Sequence, residues 1–221
     1  MALLEAFEAF CADDGARVLV LTGAGTQAFC AGADLKALDT LDADAPGGPL
    51  GFTRLSSPKP AIAAVSGYCL AGGFELALWC DLRVATEDAT FGCAERRWGV
   101  PLIDGGTQRL PRIAGQGRAL DLVLTGRMVG AAEAHGMGIV TEVVGPGRHL
   151  ERALEMAEGL AAFPQDTMLS DRRALLDGLG LGLRDGLALE ARLGREVRDT
   201  AARGAGRFAG GDGRGGAGAG V

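Results

Sequence analysis

Hydrophobic residues recur along this chain with two different spacings, and each spacing predicts a kind of element. Near the start, four apolar side chains repeat every three or four residues and predict an amphipathic helix over residues 3–12. These side chains are Leu3, Leu4, Phe7 and Phe10. Short continuous apolar runs predict strands. They lie at 17–22, 61–66, 82–85 and 89–92. The run at 61–66 has no polar face and predicts a buried strand. Residues 72–80 are apolar almost all round, which predicts a central helix.

The chain alternates between predicted strands and helices, and this alternation predicts an α/β layer architecture. A further helix is predicted over 34–41, with Asp34 as its N-terminal cap. Residues 42–51 are rich in Pro and Gly and predict a mobile loop. Residues 150–203 are helical and charged, whereas 204–221 are Gly-rich and are predicted to be disordered because they cannot bury a core. With 221 residues, the chain is long enough for one sizeable core.

The overall charge narrows the possible partners. The chain has 28 acidic residues against 22 Lys and Arg, a net charge of −6. This balance argues against nucleic acid as a partner, because phosphate binding needs clustered cations. No signal peptide is recognised and no apolar run is long enough to cross a membrane, so a cytoplasmic protein without a membrane partner is expected. The five cysteines have no zinc-ligand spacing, so we expect no metal site and interpret them as buried free thiols.

Two stretches rich in small residues carry the strongest chemical signal. The first is 29–35, Phe-Cys-Ala-Gly-Ala-Asp-Leu, and the second is 67–75, Gly-Tyr-Cys-Leu-Ala-Gly-Gly-Phe-Glu. Small residues let a ligand approach the backbone closely. Two converging backbone amides can hold the negative charge that develops on a thioester oxygen, as in an oxyanion hole. The Gly72 amide is one candidate, because it opens a predicted helix whose first N–H groups have no internal partner.

Two carboxylates accompany these stretches. Glu75 lies in an otherwise apolar helix, where a carboxylate is costly to bury unless it is paired or functional. The functional interpretation is favoured over a structural salt bridge to Arg83 or Arg109. Glu95 follows a short strand, and an exposed ion pair with the adjacent Arg96 or Arg97 is nearly as consistent with the sequence as a catalytic role. Oxyanion donors and two acids together predict acid–base chemistry beside a carbonyl group.

Several segments of the chain, in the same order, resemble the crotonase superfamily, the enoyl-CoA hydratase/isomerase family. The closer matches are at 29–36, 59–81, 91–95 and 105–110, with weaker similarity at 124–127 and 131–144. The resemblance implies a spiral of strand–strand–helix turns over residues 1–145. A C-terminal helical trimerisation region over 146–203 and the Gly-rich tail at 204–221 would follow. Members of the family usually have two or more strands before a helix like that at 3–12, so the first part of the spiral is expected to be missing here.

The resemblance also implies an activity, which is hydration of trans-2-enoyl-CoA to 3-hydroxyacyl-CoA. Glu75 and Glu95 would be catalytic, and the amides of Ala33 and Gly72 would form the oxyanion hole. CoA would be part of the substrate, no separate cofactor would be needed, and the chain would assemble as a trimer or a dimer of trimers. One alternative is an enoyl-CoA or dienoyl-CoA isomerase, which needs only one acid–base group. Another is a non-catalytic relative that binds acyl-CoA.

The implied substrate-binding residues flank these groups. They are Ala31, Gly32, Asp34, Leu35, Tyr68, Ala71, Ala94, Val100, Leu102, Ile103 and Asp104. Asp34 and Leu35 would flank the bend that receives CoA. Tyr68 is placed at the acyl pocket, although a core aromatic is the favoured interpretation. Asp104 is either an extra acid near the acyl pocket or the N-cap of a helix beginning at Gly105, and the N-cap is favoured.

Overall fold

The computed structural model describes residues 2–212. The chain divides into two compact units, residues 1–157 and residues from 158 onwards. The first unit contains all eight described strands and the cavity considered below. The second contains the last three described helices. The family-implied boundary at 145 falls before the last helix of the first unit, and α6 crosses the division between the two units.

The first unit alternates short strands and helices. Its strands are β1 Leu19–Thr22, β2 Ala28–Cys30, β3 Ala61–Val65, β4 Tyr68–Leu70, β5 Leu82–Thr86, β6 Thr90–Gly92, β7 Met128–Gly130 and β8 Glu142–Val144. Its α-helices are α1 Ala2–Ala12, α2 Gly72–Trp79, α3 Gly106–Ala114, α4 Gln116–Thr125, α5 Ala131–Gly136 and α6 His149–Ala162, which extends into the second unit. Two 3-10 helices cover Leu35–Thr40 and Ala94–Trp98. The second unit continues with α7 Gln165–Gly178, α8 Leu183–Glu196 and α9 Arg198–Gly210.

The strands form two four-stranded sheets, and successive turns of the chain add one strand to each. The first sheet has the order β1-β3-β5-β8 and is parallel throughout. The second has the order β2-β4-β6-β7, in which only the β6–β7 pair is antiparallel. Every residue of β3 is buried, as expected for an interior strand of a parallel sheet covered on both faces. The α/β prediction is confirmed, with the strand–strand–helix repeat of a spiral.

The first helix is held in place by aromatic packing and by a lysine. The Phe7 ring stacks on Phe52 at 4.9 Å, and Trp79 packs edge-on against Phe7 at 5.5 Å. In the last turn of the helix and just beyond it, the Lys59 ammonium donates to the carbonyl oxygens of Phe10, Asp13 and Ala16 at 2.7–2.8 Å. A cation there satisfies carbonyl groups that have no partner within the helix. The amphipathic helix predicted over 3–12 is therefore confirmed.

Two local predictions need correction. Residues 35–40 form a 3-10 helix rather than an α-helix, with a non-helical backbone at Ala37 (φ −117°, ψ 27°). Asp34 nevertheless caps it, because its Oδ1 accepts the Lys36 amide at 2.9 Å. The disorder predicted from residue 204 is wrong as far as Gly210, which ends α9. This helix contacts α7, and the Thr200 hydroxyl donates to Asp166 at 2.8 Å. Residues 213–221 lie outside the described residues.

No helix within residues 2–212 is both long enough and apolar enough to cross a membrane. All five cysteines, which lie within this range, are free; Cys69, Cys80 and Cys93 are buried, whereas Cys11 and Cys30 are partly exposed. Burial raises the pKa of the Cys80 and Cys93 thiols to about 12, which keeps both thiols protonated.

Candidate active site

A cavity of about 170 Å³ lies where β2 and β4 end and α2 begins. Most of the residues named from the sequence line it, namely Ala31, Ala33, Leu35, Ala71, Gly72, Glu75, Ala94, Glu95, Val100, Ile103 and Asp104. The other lining residues are Leu41, Pro49, Leu50, Leu70, Trp98 and Pro101. The wall is therefore apolar except for three carboxylates and the backbone. Segments far apart in the sequence meet here, as the pairing of β2 with β4 requires.

The two stretches rich in small residues are in direct contact at the mouth of α2. A Cβ placed on Gly32 would lie 2.9 Å from the Ala71 Cβ and 3.0 Å from the Gly72 nitrogen, so only glycine fits there. Gly32 also has φ +91°, a conformation that L side chains rarely adopt. Neither the Ala33 amide nor the Gly72 amide donates to any acceptor among the described residues. Both amides are thus available to a ligand at the cavity.

Ala71 connects β4 to α2 with a strained backbone. Its φ of 51° and ψ of −128° make it the one non-glycine residue with positive φ in the described part of the chain. Such a conformation costs on the order of 1–3 kcal/mol and persists only where the surroundings impose it. The sharp turn lets the helix start with the Gly72 amide at the cavity, where the partial positive charge of a helix N-terminus attracts a negative oxygen.

Glu75 lies in the first turns of α2 and is only 3% exposed. Its Oε1 accepts the amides of Asp104 at 3.0 Å and Gly106 at 2.7 Å. Burial raises the pKa of Glu75 to about 7. The two amides oppose this rise, whereas the charges of Asp104 and Glu95 add to it. At neutral pH the carboxyl is therefore poised to bind or release a proton.

The salt-bridge alternative for Glu75 is wrong. The Arg83 guanidinium is buried and donates to backbone carbonyl groups, including those of Ile139 and Cys80. Arg109 donates to the carbonyl oxygens of Asp104 and Thr53. Both arginines are thus occupied by the backbone, and neither forms an ion pair with Glu75. The sequence pattern does not reveal these carbonyl partners, because they depend on the tertiary fold.

Glu95 faces the same cavity and is 6% exposed. Neither carboxylate oxygen accepts a hydrogen bond from another residue within residues 2–212. Burial raises the pKa of Glu95, opposed by its own backbone amide and by Arg96. The alternative of an exposed ion pair is wrong, since the tight 3-10 turn directs Glu95 inward while Arg96 and Arg97 remain exposed. The Arg97 guanidinium instead donates to the Gly126 carbonyl at 3.2 Å.

Asp104 brings a third carboxylate to the cavity and is 4% exposed. Its Oδ1 accepts the Leu50 amide at 3.2 Å and the Thr53 hydroxyl. The favoured N-cap role is wrong, because α3 has Gly105 as its N-cap and no side chain caps it. The Asp104 side chain instead connects the loop before α3 to the loop at 50–53.

Comparison with known proteins identifies the family of this chain. The family model described as enoyl-CoA hydratase/isomerase matches residues 1–209. The chain belongs to the enoyl-CoA hydratase/isomerase family. A probable enoyl-CoA hydratase of Rhizobium meliloti is 45% identical over 195 residues, which are 85% of this chain and 74% of that protein.

Solved structures of the family share the fold. An enoyl-CoA hydratase from Mycobacterium marinum superposes with a TM-score of 0.88 at 38% identity, covering 94% of this chain and 83% of that one. An enoyl-CoA hydratase from Bacillus anthracis gives a TM-score of 0.84 at 37% identity, covering 94% of this chain and 84% of that one. The crotonase-like fold expected from the sequence is therefore confirmed.

Four of the substrate-binding residues expected from the family resemblance do not line the cavity. Tyr68 is 54% exposed, so it is neither a core aromatic nor part of the cavity wall. Leu102 packs against the core. Gly32 lies behind the cavity wall, against Ala71 and Gly72. Asp34 is exposed and caps its own 3-10 helix.

The lining residues that the sequence did not indicate are mostly apolar and come from irregular segments. Leu50 and Pro49 belong to the loop that was predicted only as mobile, and Trp98 ends the second 3-10 helix. No local pattern marks such positions, because a loop residue lines a cavity only through the path of the chain around it.

Proposed function

We propose that this chain hydrates trans-2-enoyl-CoA thioesters to 3-hydroxyacyl-CoA. One observation carries the proposal: two backbone amides without acceptors among residues 2–212 and two buried carboxylates, Glu75 and Glu95, border one small cavity. The names of the family relatives agree with this reaction. The coarser statement, membership of a family of CoA-thioester enzymes, stands independently of the exact reaction.

The amides of Ala33 and Gly72 would receive the thioester carbonyl oxygen. When water adds to C3, electron density moves through C2 onto this oxygen and forms an enolate. Preorganised backbone donors stabilise such a charge without reorganising, and removing one donor typically costs about 10²–10³-fold in rate. The α2 N-terminus adds its partial positive charge at the same point.

The two carboxylates would move the protons. As the water oxygen bonds to C3, one carboxylate takes a proton from that water, and the other carboxyl group then delivers its proton to C2 as the enolate collapses. Water is consumed whole, and the pair again holds one proton at the end. We assign the base to Glu75, because two amides stabilise its ionised form. We assign the acid to Glu95, whose carboxyl group accepts no hydrogen bond from the described part of the chain.

An isomerase is the main alternative, and the two carboxylates favour hydration over it, because moving a double bond needs only one acid–base group. Crotonyl-CoA and a 3-enoyl-CoA of the same length provide the test. Purified protein is expected to remove the conjugated thioester absorbance of crotonyl-CoA and form the 3-hydroxyacyl product. Both Glu75→Gln and Glu95→Gln are expected to lower this rate by about 10²–10⁴-fold.

Three other results of these assays would each change the proposed function in a specific way. Conversion of the 3-enoyl-CoA without hydration of crotonyl-CoA would replace the hydratase with an isomerase. Tight acyl-CoA binding without turnover of either substrate would identify a non-catalytic relative. Full hydration activity in Glu95→Gln would remove this carboxyl from the mechanism.

We further propose a homotrimer or a dimer of trimers. The second unit exposes several leucines of α7 and α8, among them Leu175, Leu183 and Leu187. Such clustered apolar exposure marks interaction surfaces. Sedimentation of the full chain is expected to give three or six copies, and a stable monomer would contradict the proposal.

We expect no separate cofactor, because CoA is part of the substrate. Activity should therefore survive dialysis against a chelator. The five free thiols suit a reducing compartment such as the cytoplasm.

A further inference from the structure

Asp104 is a buried carboxylate at the cavity that the proposed hydration does not use. It is 4% exposed and lines the cavity together with Glu75 and Glu95. Its Oδ1 is occupied by the Leu50 amide and the Thr53 hydroxyl. Among the described residues, none donates a hydrogen bond to Oδ2. Oδ2 is not among the fully buried side-chain atoms that lack a partner, so this oxygen stays accessible and can accept a hydrogen bond from water or from a ligand in the cavity.

The surroundings of Asp104 fix its orientation. The Leu50 and Thr53 donors hold one oxygen, and a Cβ placed on Gly48 would lie 2.9 Å from Oδ1, so the loop backbone packs closely on that side. The backbone on the other side is also fixed, since the Asp104 amide donates to Glu75 and its carbonyl accepts from Arg109. The side chain is therefore a preorganised acceptor rather than a mobile charge.

Among the described residues, no group of the wall donates a hydrogen bond to Oδ2. Most of the other lining side chains are apolar, among them Leu35, Leu41, Leu50, Val100 and Ile103. A simple alkyl chain filling the cavity would exclude water and leave Oδ2 without a donor. A hydroxyl on the acyl chain would supply that donor. A site built to accept a hydrogen bond discriminates strongly against analogues that lack the donor.

We propose that Asp104 selects short acyl groups that carry a hydroxyl beyond the reacting double bond. This inference rests on the proposed function, in which the cavity holds the acyl part of a CoA thioester. The cavity volume of about 170 Å³ lies below the usual range for ligand pockets and favours a short acyl chain. Asp104 is thus a specificity-determining residue, whose Oδ2 accepts the hydroxyl proton.

The test measures binding separately from turnover. Saturated 4-hydroxybutanoyl-, 5-hydroxypentanoyl- and 6-hydroxyhexanoyl-CoA are compared by calorimetry with their unsubstituted parents and with their ω-fluoro analogues. Fluorine is close to a hydroxyl in size but donates no hydrogen bond. At least one hydroxylated chain is expected to bind roughly 10- to 100-fold more tightly than its fluoro analogue, as for a hydrogen bond to a charged group. Equal binding across all three lengths would overturn the inference.

Asp104→Asn tests the residue itself. Asparagine keeps an oxygen for the Leu50 amide and the Thr53 hydroxyl but replaces Oδ2 with an NH2 donor. The hydroxyl-over-fluoro preference is expected to fall at least about fivefold, because a charge-assisted bond is lost. Asp81→Asn is the matched control, since the Asp81 carboxylate also accepts a backbone amide, that of Ala61 at 2.8 Å, but does not line the cavity. This control is expected to retain the full preference.

The corresponding trans-2-enoyl-CoA substrates separate the two proposals. Hydroxyl preference in binding without hydration of any enoyl-CoA would refute the proposed reaction and retain the role of Asp104. Hydration without hydroxyl preference would refute the role of Asp104 and retain the reaction. An Asp104→Asn variant that folds and keeps the full preference would also overturn the assignment, whatever its rate.

Discussion

Replacing Glu75 with glutamine separates the proton chemistry of this residue from its hydrogen bonds. The Oε1 atom accepts the Asp104 and Gly106 amides at 3.0 and 2.7 Å, and glutamine keeps an oxygen acceptor there. The variant therefore retains the local structure and loses only the capacity to exchange a proton. A positioned general acid or base contributes about 10²–10⁴-fold. The expected loss of kcat/KM for crotonyl-CoA thus corresponds to about 3–5 kcal/mol.

The same substitution is expected to stabilise the protein at neutral and alkaline pH. Burial, the largest cause, raises the pKa of Glu75 from its ordinary 4.5 to about 7 in the folded chain. Between these values the folded chain holds a proton that the unfolded chain releases, so the free energy of unfolding falls as pH rises. Above pH 7 the folded chain bears the full free-energy cost of ionising the buried Glu75 carboxyl, which is about 3 kcal/mol from the difference between the two pKa values. Glutamine carries no charge and avoids this penalty.

Thermal unfolding at about pH 5 and about pH 8 measures the effect. At the higher pH, Glu75→Gln is expected to raise the midpoint by roughly 6–12 °C, given the usual sensitivity of a chain of this length. At the lower pH the two proteins should unfold at similar temperatures. Glu87→Gln removes an equal charge from an exposed position and should show no such difference. A Glu75→Gln variant that is less stable than the wild type at both pH values would show that the carboxylate supports the fold, and would refute the reasoning.

Three further substitutions test the backbone and the charges of the cavity. Gly73→Ala places a Cβ inside the carbonyl group of Cys30 and is expected to destabilise the fold by at least about 2 kcal/mol. The Cβ of Gly72→Ala meets a Leu50 methyl at 3.3 Å and the Gly32 Cα at 3.5 Å, which is ordinary contact, so this variant should remain folded. Equal urea midpoints for the two variants would contradict the packing described. Asp104→Asn removes a charge that raises the pKa of Glu75, so this pKa falls and the base stays ionised to lower pH. The acid limb of kcat/KM against pH is then expected to move to lower pH, and an unmoved limb would exclude Glu75 as the group that titrates there.

Much of the fold is predictable because local patterns determine it. The apolar spacing that predicted a helix over 3–12 corresponds to α1, and the buried run at 61–66 corresponds to β3. The three-residue strands β2, β4, β7 and β8 were not separated by sequence reasoning. Strands this short are defined by their partners on other turns of the spiral, as in the pairing of Ala28 with Tyr68, and not by their own periodicity.

The candidate site also has parts that the sequence predicts and parts that it does not. The amides of Ala33 and Gly72 were predictable, because small residues at a strand-to-helix turn have few other uses. The partners of the charged groups were not. Asp104 accepts from Leu50, which is 54 positions away. Arg83, Arg109 and Arg97, the alternative partners considered for the glutamates, donate to backbone carbonyl groups instead. Electrostatic partners depend on tertiary contacts, so a sequence supplies the candidates but does not choose among them.

The distribution of unfavourable features in the described chain points to the cavity as the functional region. Outside the cavity, the buried Arg83 guanidinium has hydrogen-bond partners, because it donates to several backbone carbonyls. Apart from Glu95, the buried side-chain atoms without partners within residues 2–212 are neutral hydroxyls or an imidazole nitrogen, which cost less to leave unsatisfied than a carboxylate. Glycine at position 71 would relieve the strained backbone, and glutamine at 75 would remove a buried charge. Stability alone therefore favours other residues at both positions. In the proposed reaction, the strained turn at Ala71 places the Gly72 amide beside the oxyanion, and Glu75 transfers a proton.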